Sequence, residues 1–288
     1  MNNIKIYFFS FFIIFASVIN AQDYDSTHVE HFSFQHNLFS SEGKALAIIV
    51  DYGLSKISRD KFGDTFSDPN LIEIKLGYME KHPVSDVDGI YSSDLRDLFV
   101  GNISTRLSNN SSESKFQTDT WRFGINRMQG YGYSFGDAGL TLSSAYSFIW
   151  SSIEFLNEPT DSAGKNIKDL YNKQFRFGTS SEADIQLNFT KNIGINAGYE
   201  RAIVFQRHLV WKWLGSEIIE FAVMYPLDNF IEDFMDRAPG VAPVVNFVLK
   251  NALYYGLYEL RHKKMNWPFQ SEPPISFDQF KFGLVFTF

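Results

Sequence analysis

The chain ends with the stretch Asp278-Gln-Phe-Lys-Phe-Gly-Leu-Val-Phe-Thr-Phe288, in which a bulky apolar residue occupies every second position. Residues two apart in a β-strand point to the same side, so this spacing places all of them on one face. Such a face would aggregate in water, and we therefore expect it to contact protein or lipid. The residues of this face are Phe280, Phe282, Leu284, Phe286 and Phe288.

The same alternation recurs along most of the chain. In the longest regular run, Phe175, Ile185 and Leu187 share one parity while Glu182 and Asp184 share the other. The pattern predicts an all-β protein with eight strands, although residues 30–39 and the 207–277 segment leave ten or twelve strands open. The predicted strands cover about residues 44–57, 70–81, 97–108, 118–128, 139–156, 173–189, 193–206 and 278–288.

Strand length and aromatic placement favour a membrane barrel over a water-soluble sandwich. Soluble strands average about five or six residues, whereas a tilted membrane strand needs roughly 9–11. Several predicted strands are longer than that, and aromatic residues lie near their ends, as in the interfacial girdles of membrane barrels. In that setting the apolar face points outward to lipid and the polar, glycine-rich face points into the lumen. The aromatic residues near strand ends are Tyr52, Tyr78, Trp121, Trp150 and Tyr199.

The alternating strands and the terminal Phe288 resemble bacterial outer-membrane β-barrel proteins. This resemblance covers nearly the whole mature chain and implies an antiparallel transmembrane β-barrel surrounded by outer-membrane lipid. It also implies that the face from Phe280 to Phe288 is the insertion signal read by the barrel-assembly machinery. The resemblance is architectural, and it assigns no functional residue.

The N-terminus is typical of an exported protein. A short basic segment with Lys5 precedes an apolar run from Ile6 to Ile19, which is shorter than the roughly 20 residues of a spanning helix. We predict a signal peptide over residues 1–21, a polar leader over 22–43 and the barrel over 44–288, located in the cell outer membrane. The chain has no cysteine and a net charge of −7, which excludes disulfides and a nucleic-acid partner.

A segment before the last strand has a different period. Residues 207–264 contain apolar positions at helical spacing, with a first helix that Pro226 is expected to end and a second that begins near Val241. The lumen of an eight-stranded barrel is filled by side chains and does not admit two helices. We therefore expect these helices to cap the barrel mouth, to lie at the membrane surface or to bind a partner protein, unless the barrel is wider.

Charged residues on the polar parity should face the lumen. Buried charges require partners, so a mutually paired network is the first interpretation, and the lining of a narrow pore is the alternative. The residues of this predicted network are Glu73, Lys75, Arg106, Arg122, Arg176, Glu182, Asp184, Glu200 and Lys281.

Catalytic and metal-binding motifs are weak. His208 precedes Ser216, Glu217 and Glu220, but eight residues separate the histidine from the serine, too far for contact along a straight helix. The glycine-rich stretch Gly130-Tyr-Gly-Tyr-Ser-Phe-Gly136 lacks the strand-to-helix setting of a phosphate loop. The spacing of His28, His31 and His36 fits no rigid metal motif.

The sequence thus predicts a non-enzymatic protein with a structural or docking role through its helical insertion, without cofactor or metal. A narrow channel or transporter for small solutes or lipids is the alternative, and a lipid-modifying hydrolase is the third hypothesis.

Overall fold

The computed structural model describes residues 44–60, 66–84, 89–108, 115–158 and 162–288, without the side chain of residue 163. All of them belong to one compact unit, Gly43–Phe288. The predicted signal peptide, the leader and the histidines at 28, 31 and 36 lie outside the described residues and stay predictions.

Eight antiparallel strands form a closed barrel in which each strand pairs with its neighbours in sequence and β1 pairs with β8. The prediction of an eight-stranded antiparallel transmembrane barrel is confirmed. The strands are β1 (Ala45–Ser58), β2 (Asn70–Pro83), β3 (Ile90–Ser104), β4 (Thr118–Phe135), β5 (Ala138–Phe155), β6 (Phe175–Asn188), β7 (Ile193–Val204) and β8 (Ile275–Thr287).

Three predicted strand bounds differ from the structure by four residues or more. The third strand begins at Ile90 rather than at 97, and the fourth continues to Phe135 rather than ending at 128. The extension of the third strand carries polar residues on its outward parity, and the extension of the fourth carries Gly130 and Gly132 on its inward parity, so neither showed a clear apolar alternation. The third strand also ends at Ser104, after which Thr105–Leu107 forms a 3₁₀ turn.

The barrel has two distinct ends. At the turn end, short connections join β2 to β3, β4 to β5 and β6 to β7, and the chain finishes there with Phe288. At the loop end lie the long connections and all the helices' attachment points. Gly136 has a positive φ of 74° in the β4–β5 turn, so the glycine-rich stretch forms a strand end and a turn.

The strands expose their apolar side chains on the outside of the barrel and bury their polar side chains inside it, which is the reverse of the arrangement in a soluble protein. Along β2 the side chain of Ile72 is 45% exposed, whereas its neighbour Glu73 is 1% exposed. A continuous exposed apolar surface of this kind is stable against lipid. We call it the apolar belt, and its members include Val50, Tyr52, Leu54, Ile72, Ile74, Leu76, Leu98, Val100, Trp121, Phe123, Ile185, Leu187, Ile195, Phe280, Phe282 and Leu284.

Three helices accompany the strands. Helix α1 (Ser162–Tyr171) lies between β5 and β6, while α2 (Val210–Arg237) and α3 (Ala242–Lys263) lie between β7 and β8. The prediction that Pro226 ends the first helix was wrong, since α2 continues through it. The lost backbone hydrogen bond does not end the helix because α3 packs along α2 on both sides of the proline.

No described helix combines the length and the apolar character typical of a helix that crosses a membrane.

Helices α2 and α3 form a hairpin on the outer side of the barrel wall, with α3 against β4, β5, β6 and β7. Near the loop end, the ring of Trp213 contacts the outward-facing Phe148. Near the turn end, the hydroxyl of Tyr133 donates a hydrogen bond of 2.9 Å to the carbonyl of Gly240. The expectation that these helices cap the mouth of an eight-stranded barrel or lie at the membrane surface is therefore corrected.

Candidate functional site

The middle of the lumen holds a network of paired charges, contributed by the inward parity of seven strands. Arg122 on β4 is its central cation. Its guanidinium binds Glu73 through Nε at 2.9 Å and through Nη2, and it binds both carboxylate oxygens of Glu200 at 2.9 and 2.7 Å. Two carboxylates held in this way match the planar fork of donors that arginine presents.

Two lysines complete the network. Lys281 on β8 donates to Glu182 at 2.7 Å, to Glu200 at 2.9 Å and to Glu73 at 3.1 Å. Lys75 lies 3.3 Å from Glu182 and 3.3 Å from Asp51. Each ammonium group therefore satisfies several carboxylates, which compensates the cost of removing these charges from water.

Amide side chains hold the acidic residues at the edge of the network. Asn196 donates to Asp51 and to Asp184, both at 3.1 Å. Asn126 donates to Asp97 at 2.7 Å. In the described part of the chain the network thus joins three cations to six carboxyl groups.

Glycines make room for the carboxylates. A Cβ atom at Gly198 would lie 2.5 Å from Oε1 of Glu182, and one at Gly283 would lie 2.0 Å from Oδ1 of Asp51. Both distances are shorter than any side-chain packing allows. The absence of a side chain at these two strand positions therefore allows the charged groups to pack across the lumen.

Apolar layers lie above and below the network. Along the inward face of β2, Leu71 belongs to a cluster at the loop end, Glu73 and Lys75 follow in the network, and Met79 belongs to a cluster at the turn end. The loop-end layer contains Ile57, Leu71, Phe99, Ile103, Phe116, Ile149, Ile153, Phe155, Ile167, Tyr171 and Phe277. The turn-end layer contains Ala47, Ile49, Met79, Leu95, Met128, Ala145 and Val285.

Helix α1 takes part in the loop-end layer. Its Ile167 and Tyr171 are buried among the inward side chains, and the hydroxyl of Tyr171 donates to the carbonyl of Val204 at 3.3 Å. Among the described residues, the lumen is thus filled from one end to the other.

Most predicted network residues come together in the structure. Glu73, Lys75, Arg122, Glu182, Asp184, Glu200 and Lys281 all lie in or beside the lumen network.

Arg106 and Arg176 do not belong to the network. Arg106 follows the end of β3 in the 3₁₀ turn, where its side chain is 65% exposed and pairs with Asp119 at 3.4 Å. Arg176 has the inward parity but lies at the loop end, where its guanidinium binds the carbonyl of Leu170 and covers the ring of Tyr171. The parity rule gave the correct face for Arg176 but not its height in the barrel. For Arg106 it gave neither, since the even positions of β3, such as Leu98 and Val100, face outward.

Sequence reasoning missed two members of the network. Asp51 shares the polar parity of β1 and could have been included from its pattern alone. Asp97 was taken as the first residue of its strand, because the outward positions before it, Asp94 and Arg96, are charged.

A second charged cluster lies outside the barrel, between its wall and the hairpin. Arg261 on α3 donates to Glu217 at 3.1 Å and to Glu220 at 2.9 Å, both on α2. Tyr146 on the outward face of β5 donates to the same Glu217 at 2.8 Å, and its ring stacks on Tyr254. These groups are buried, and together they hold both helices to the wall.

An aromatic cluster continues this contact toward β7 and β8. The guanidinium of Arg201 lies 4.3 Å from the ring centre of Tyr255, and the rings of Tyr199 and Tyr258 also contact it. The hydroxyl of Tyr258 donates to Asp278 at 3.1 Å. We call the wall residues beneath the hairpin the polar seam: Ser144, Tyr146, Ser181, Arg201, Ser276 and Asp278.

The polar seam had a sequence signal that was not used. All of its residues fall on the parity that otherwise carries the apolar belt, where a polar group facing lipid is costly. Polar residues at these positions predict that something covers them, and the longest segment between two predicted strands follows β7.

The proposed catalytic histidine is not placed for hydrolysis. His208 packs against the rings of Phe177 and Trp213, with centroid distances of 5.1 and 5.8 Å, and burial lowers the pKa of its imidazole. Ser216 is buried and donates to the backbone carbonyl of Lys212 at 3.0 Å. The nearby acids Glu217 and Glu220 are occupied by Arg261. This arrangement stabilises the hairpin base.

A different histidine and serine do meet. His262 on α3 shares a hydrogen bond of 2.8 Å with Ser276 on β8, but Ser276 has no exposed surface. A substrate could not reach this hydroxyl, so the contact joins the end of the hairpin to the barrel. Across the described residues, histidine and acidic side chains form no group of three or more suited to a metal ion.

The closing strand is placed as its pattern predicts. Phe280, Phe282, Leu284, Phe286 and Phe288 all lie on the outward face of β8, which pairs with both β7 and β1. The backbone nitrogen of Phe288 donates to the carbonyl of Leu46 at 2.9 Å. Whether the barrel-assembly machinery reads this strand stays a prediction.

No protein-family model and no curated protein matches the chain. Among solved structures it is similar to the Neisserial surface protein A, NspA, with 10% identity and a TM-score of 0.40 over 84% of this chain and 97% of that one. It is also similar to Ail, the attachment invasion locus protein of Yersinia pestis, with 9% identity and a TM-score of 0.29 over 85% and 99% of the two chains. At such values the likeness adds nothing to the fold that the strand pairing already defines.

Proposed function

We propose that this protein is a non-enzymatic barrel of the cell outer membrane with a structural or docking role carried by the α2–α3 hairpin. The filled lumen is the observation that carries the proposal. Buried side chains lie on both sides of the paired charge network, mostly apolar at the loop end and apolar and polar at the turn end, so the surfaces left for function are the outer ones. The hairpin is the largest feature on that outer surface.

The partners proposed for the barrel follow from its surfaces. Outer-membrane lipid surrounds the apolar belt, and the barrel-assembly machinery inserts the chain through β8. A further envelope protein docks at the tip of the hairpin, residues 228–241. Nucleic acid is not a partner, because the chain has a net charge of −7.

The tip is suited to docking because it concentrates exposed charge. Glu232, Asp233 and Asp236 are exposed there, with Arg237 beside them. The hydrogen bond from Tyr133 to Gly240 fixes the tip at the turn end of the barrel. A partner with a basic surface would complement these acids, and charge complementarity mainly increases the rate and selectivity of association.

The docking role is tested by site-specific photo-crosslinking in cells. A photoreactive residue replaces Glu232 or Asp236 at the tip, and the same residue at Leu76 in the apolar belt is the matched control. We expect a discrete crosslinked protein from the tip positions that the Leu76 position does not give. It should be lost when the two of Glu232, Asp233 and Asp236 that do not carry the photoreactive residue are changed to lysine.

Equal crosslinking patterns from the tip and from Leu76 would leave the hairpin without a docking role. Because no element is deleted, the result does not depend on whether a barrel without its hairpin still folds.

A further inference from the structure

We propose that the outward face of the hairpin between residues 213 and 258 contacts the acyl chains of membrane lipids, so that α2 and α3 form part of the membrane-embedded wall. This inference rests on the proposed membrane location of the barrel. According to this inference, the hairpin surface between the tip and the loop end contacts lipid rather than water or a protein.

The first argument is the depth of the hairpin. Helix α3 begins beside the Tyr133–Gly240 contact at the turn end and ends beside the His262–Ser276 contact at the loop end. Its 22 residues extend about 33 Å at about 1.5 Å per residue. The hydrocarbon core of a bilayer is about 30 Å thick. A helix fixed to both ends of the wall therefore occupies the same depth as the apolar belt.

The second argument is the distribution of charge along the hairpin. Between Trp213 and Leu227 the charged residues of α2 are Glu217 and Glu220, and both are buried against Arg261. Between Ala242 and Tyr258 the charged residue of α3 is Lys250, which lies 2.8 Å from Asp228. Exposed charges lie beyond this region, at the tip and near the loop end. Such a separation is expected of a segment whose middle contacts hydrocarbon.

The third argument is the chemistry of the face itself. On both helices the side chains that point away from the barrel are apolar or aromatic, and the belt continues on each side of the hairpin with Trp121 and Phe123 on β4 and Phe280 and Phe282 on β8. The exposed residues of the hairpin in this region are Ile218, Phe221, Val223, Tyr225, Val244, Val248, Leu249 and Tyr255.

The fourth argument is what the hairpin covers. The polar seam interrupts the belt over β5 to β8, and Arg201 or Asp278 in contact with acyl chains would be costly. The inward side of the hairpin satisfies these groups, as the contacts of Tyr146 with Glu217 and of Asp278 with Tyr258 show. The hairpin thus covers the polar seam and presents an apolar outer surface in its place.

Spin-label accessibility tests this proposal. The chain has no cysteine, so Ile218→Cys and Val248→Cys each introduce one labelling site. In the folded structure Ile218 is 59% exposed and Val248 is 54% exposed. Leu76→Cys, at a belt position that is 53% exposed, is the lipid control, and Asp137→Cys in the β4–β5 turn is the aqueous control. The labelled proteins are reconstituted in phosphatidylethanolamine and phosphatidylglycerol vesicles. The relaxation rate of each spin label is then measured with oxygen and with a water-soluble nickel chelate.

We expect the labels at Ile218 and Val248 to match Leu76, with strong relaxation by oxygen and loss of relaxation by nickel. Nickel relaxation equal to that at Asp137 would place the hairpin in water and overturn the proposal. Protection from both reagents would show that protein covers the face, which also overturns it. Nickel relaxation at Leu76 itself would instead contradict the membrane location on which the proposed function depends.

Discussion

At the scale of single residues, the same chemistry has different consequences inside and outside the barrel. Arg122 is buried between Glu73 and Glu200, whereas Arg106 makes its ion pair with Asp119 in an exposed turn. Burial removes the water that would otherwise solvate an unpaired carboxylate. How much each arginine contributes to the stability of the folded protein therefore depends on whether it lies in the lumen or in an exposed turn, and not on the identity of its partner.

Replacing Arg122 should destabilise the barrel strongly. Arg122→Met leaves two buried carboxylates without their main cation, and breaking a buried pair of this kind costs about 3–5 kcal/mol. Arg106→Met is the matched control, since exposed pairs contribute only about 0.2–1 kcal/mol. Urea unfolding in detergent micelles, followed by tryptophan fluorescence, measures both changes.

The double variant Arg122→Met/Glu200→Gln should recover part of the loss, because it removes one of the two unpaired charges. Equal destabilisation by Arg122→Met and Arg106→Met would show that the lumen charges do not depend on one another.

At the scale of elements, the hairpin depends on the barrel wall as much as on its own packing. Arg261 binds two acids of α2, and Tyr146 of β5 binds one of the same acids. The cluster therefore joins three elements at one point. The other attachments of the hairpin to the wall are single hydrogen bonds, such as His262–Ser276 and Tyr133–Gly240, and aromatic contacts. Aromatic contacts tolerate small shifts better than a charged group with fixed partners does.

Changing Arg261 to methionine should loosen the hairpin and leave the barrel closed. Glu217 and Glu220 would then lie buried without a cation, which favours separation of α2 from α3 and from the wall. Hydrogen exchange in lipid nanodiscs should show faster exchange in α2 and α3 with little change in the strands. Lys250→Met, which removes a more exposed pair with Asp228, should have a smaller effect.

Adding Glu217→Gln and Glu220→Gln to the Arg261 variant should restore slow exchange in the helices, since no buried charge would remain unpaired. Fast exchange throughout the barrel in the single variant would mean that the cluster supports the strands as well.

At the scale of the whole molecule, the lumen of the barrel is filled by side chains, so the barrel is not built as a passage from one end to the other. An eight-stranded barrel has an interior about as wide as its own side chains require. The lumen contains charge pairs in its middle and an apolar layer toward each end, with α1 adding to the layer at the loop end. At the turn end the inward residues of β5 and β6, including Thr141, Ser143, Gln186 and Asn188, are polar but buried. The described part of the lumen therefore leaves little room for a passing solute.

We expect the purified protein to give no discrete current steps in planar lipid bilayers. Removing residues 162–171 should not open it, because strand side chains such as Ile103, Ile149 and Phe155 fill the loop end without help from the helix. Reproducible steps from the unaltered protein that change with Arg122→Met would restore the channel hypothesis.

The sequence alone determined the barrel, its strand number and the inward or outward face of the residues on most strands. The third strand is the exception, because Arg106 was assigned to the lumen although it shares the parity of Leu98 and Val100, which are exposed. These properties are local, because a period of two in side-chain character assigns each position to one face wherever the strand lies. The same locality explains the errors. Strand ends were misplaced where polar outward residues or inward glycines interrupted the alternation, and Arg176 received the correct face without its height.

Only the tertiary structure decided which lumen charges pair, that α1 packs into the loop-end layer, and that the hairpin lies against the outer wall. Glu73 and Lys281 are 208 positions apart and meet only because β1 and β8 close the barrel. Helical periodicity likewise shows that a helix has an apolar face, but not which surface its polar face covers. That surface, the polar seam, is assembled from four strands, and it exists only once they stand side by side.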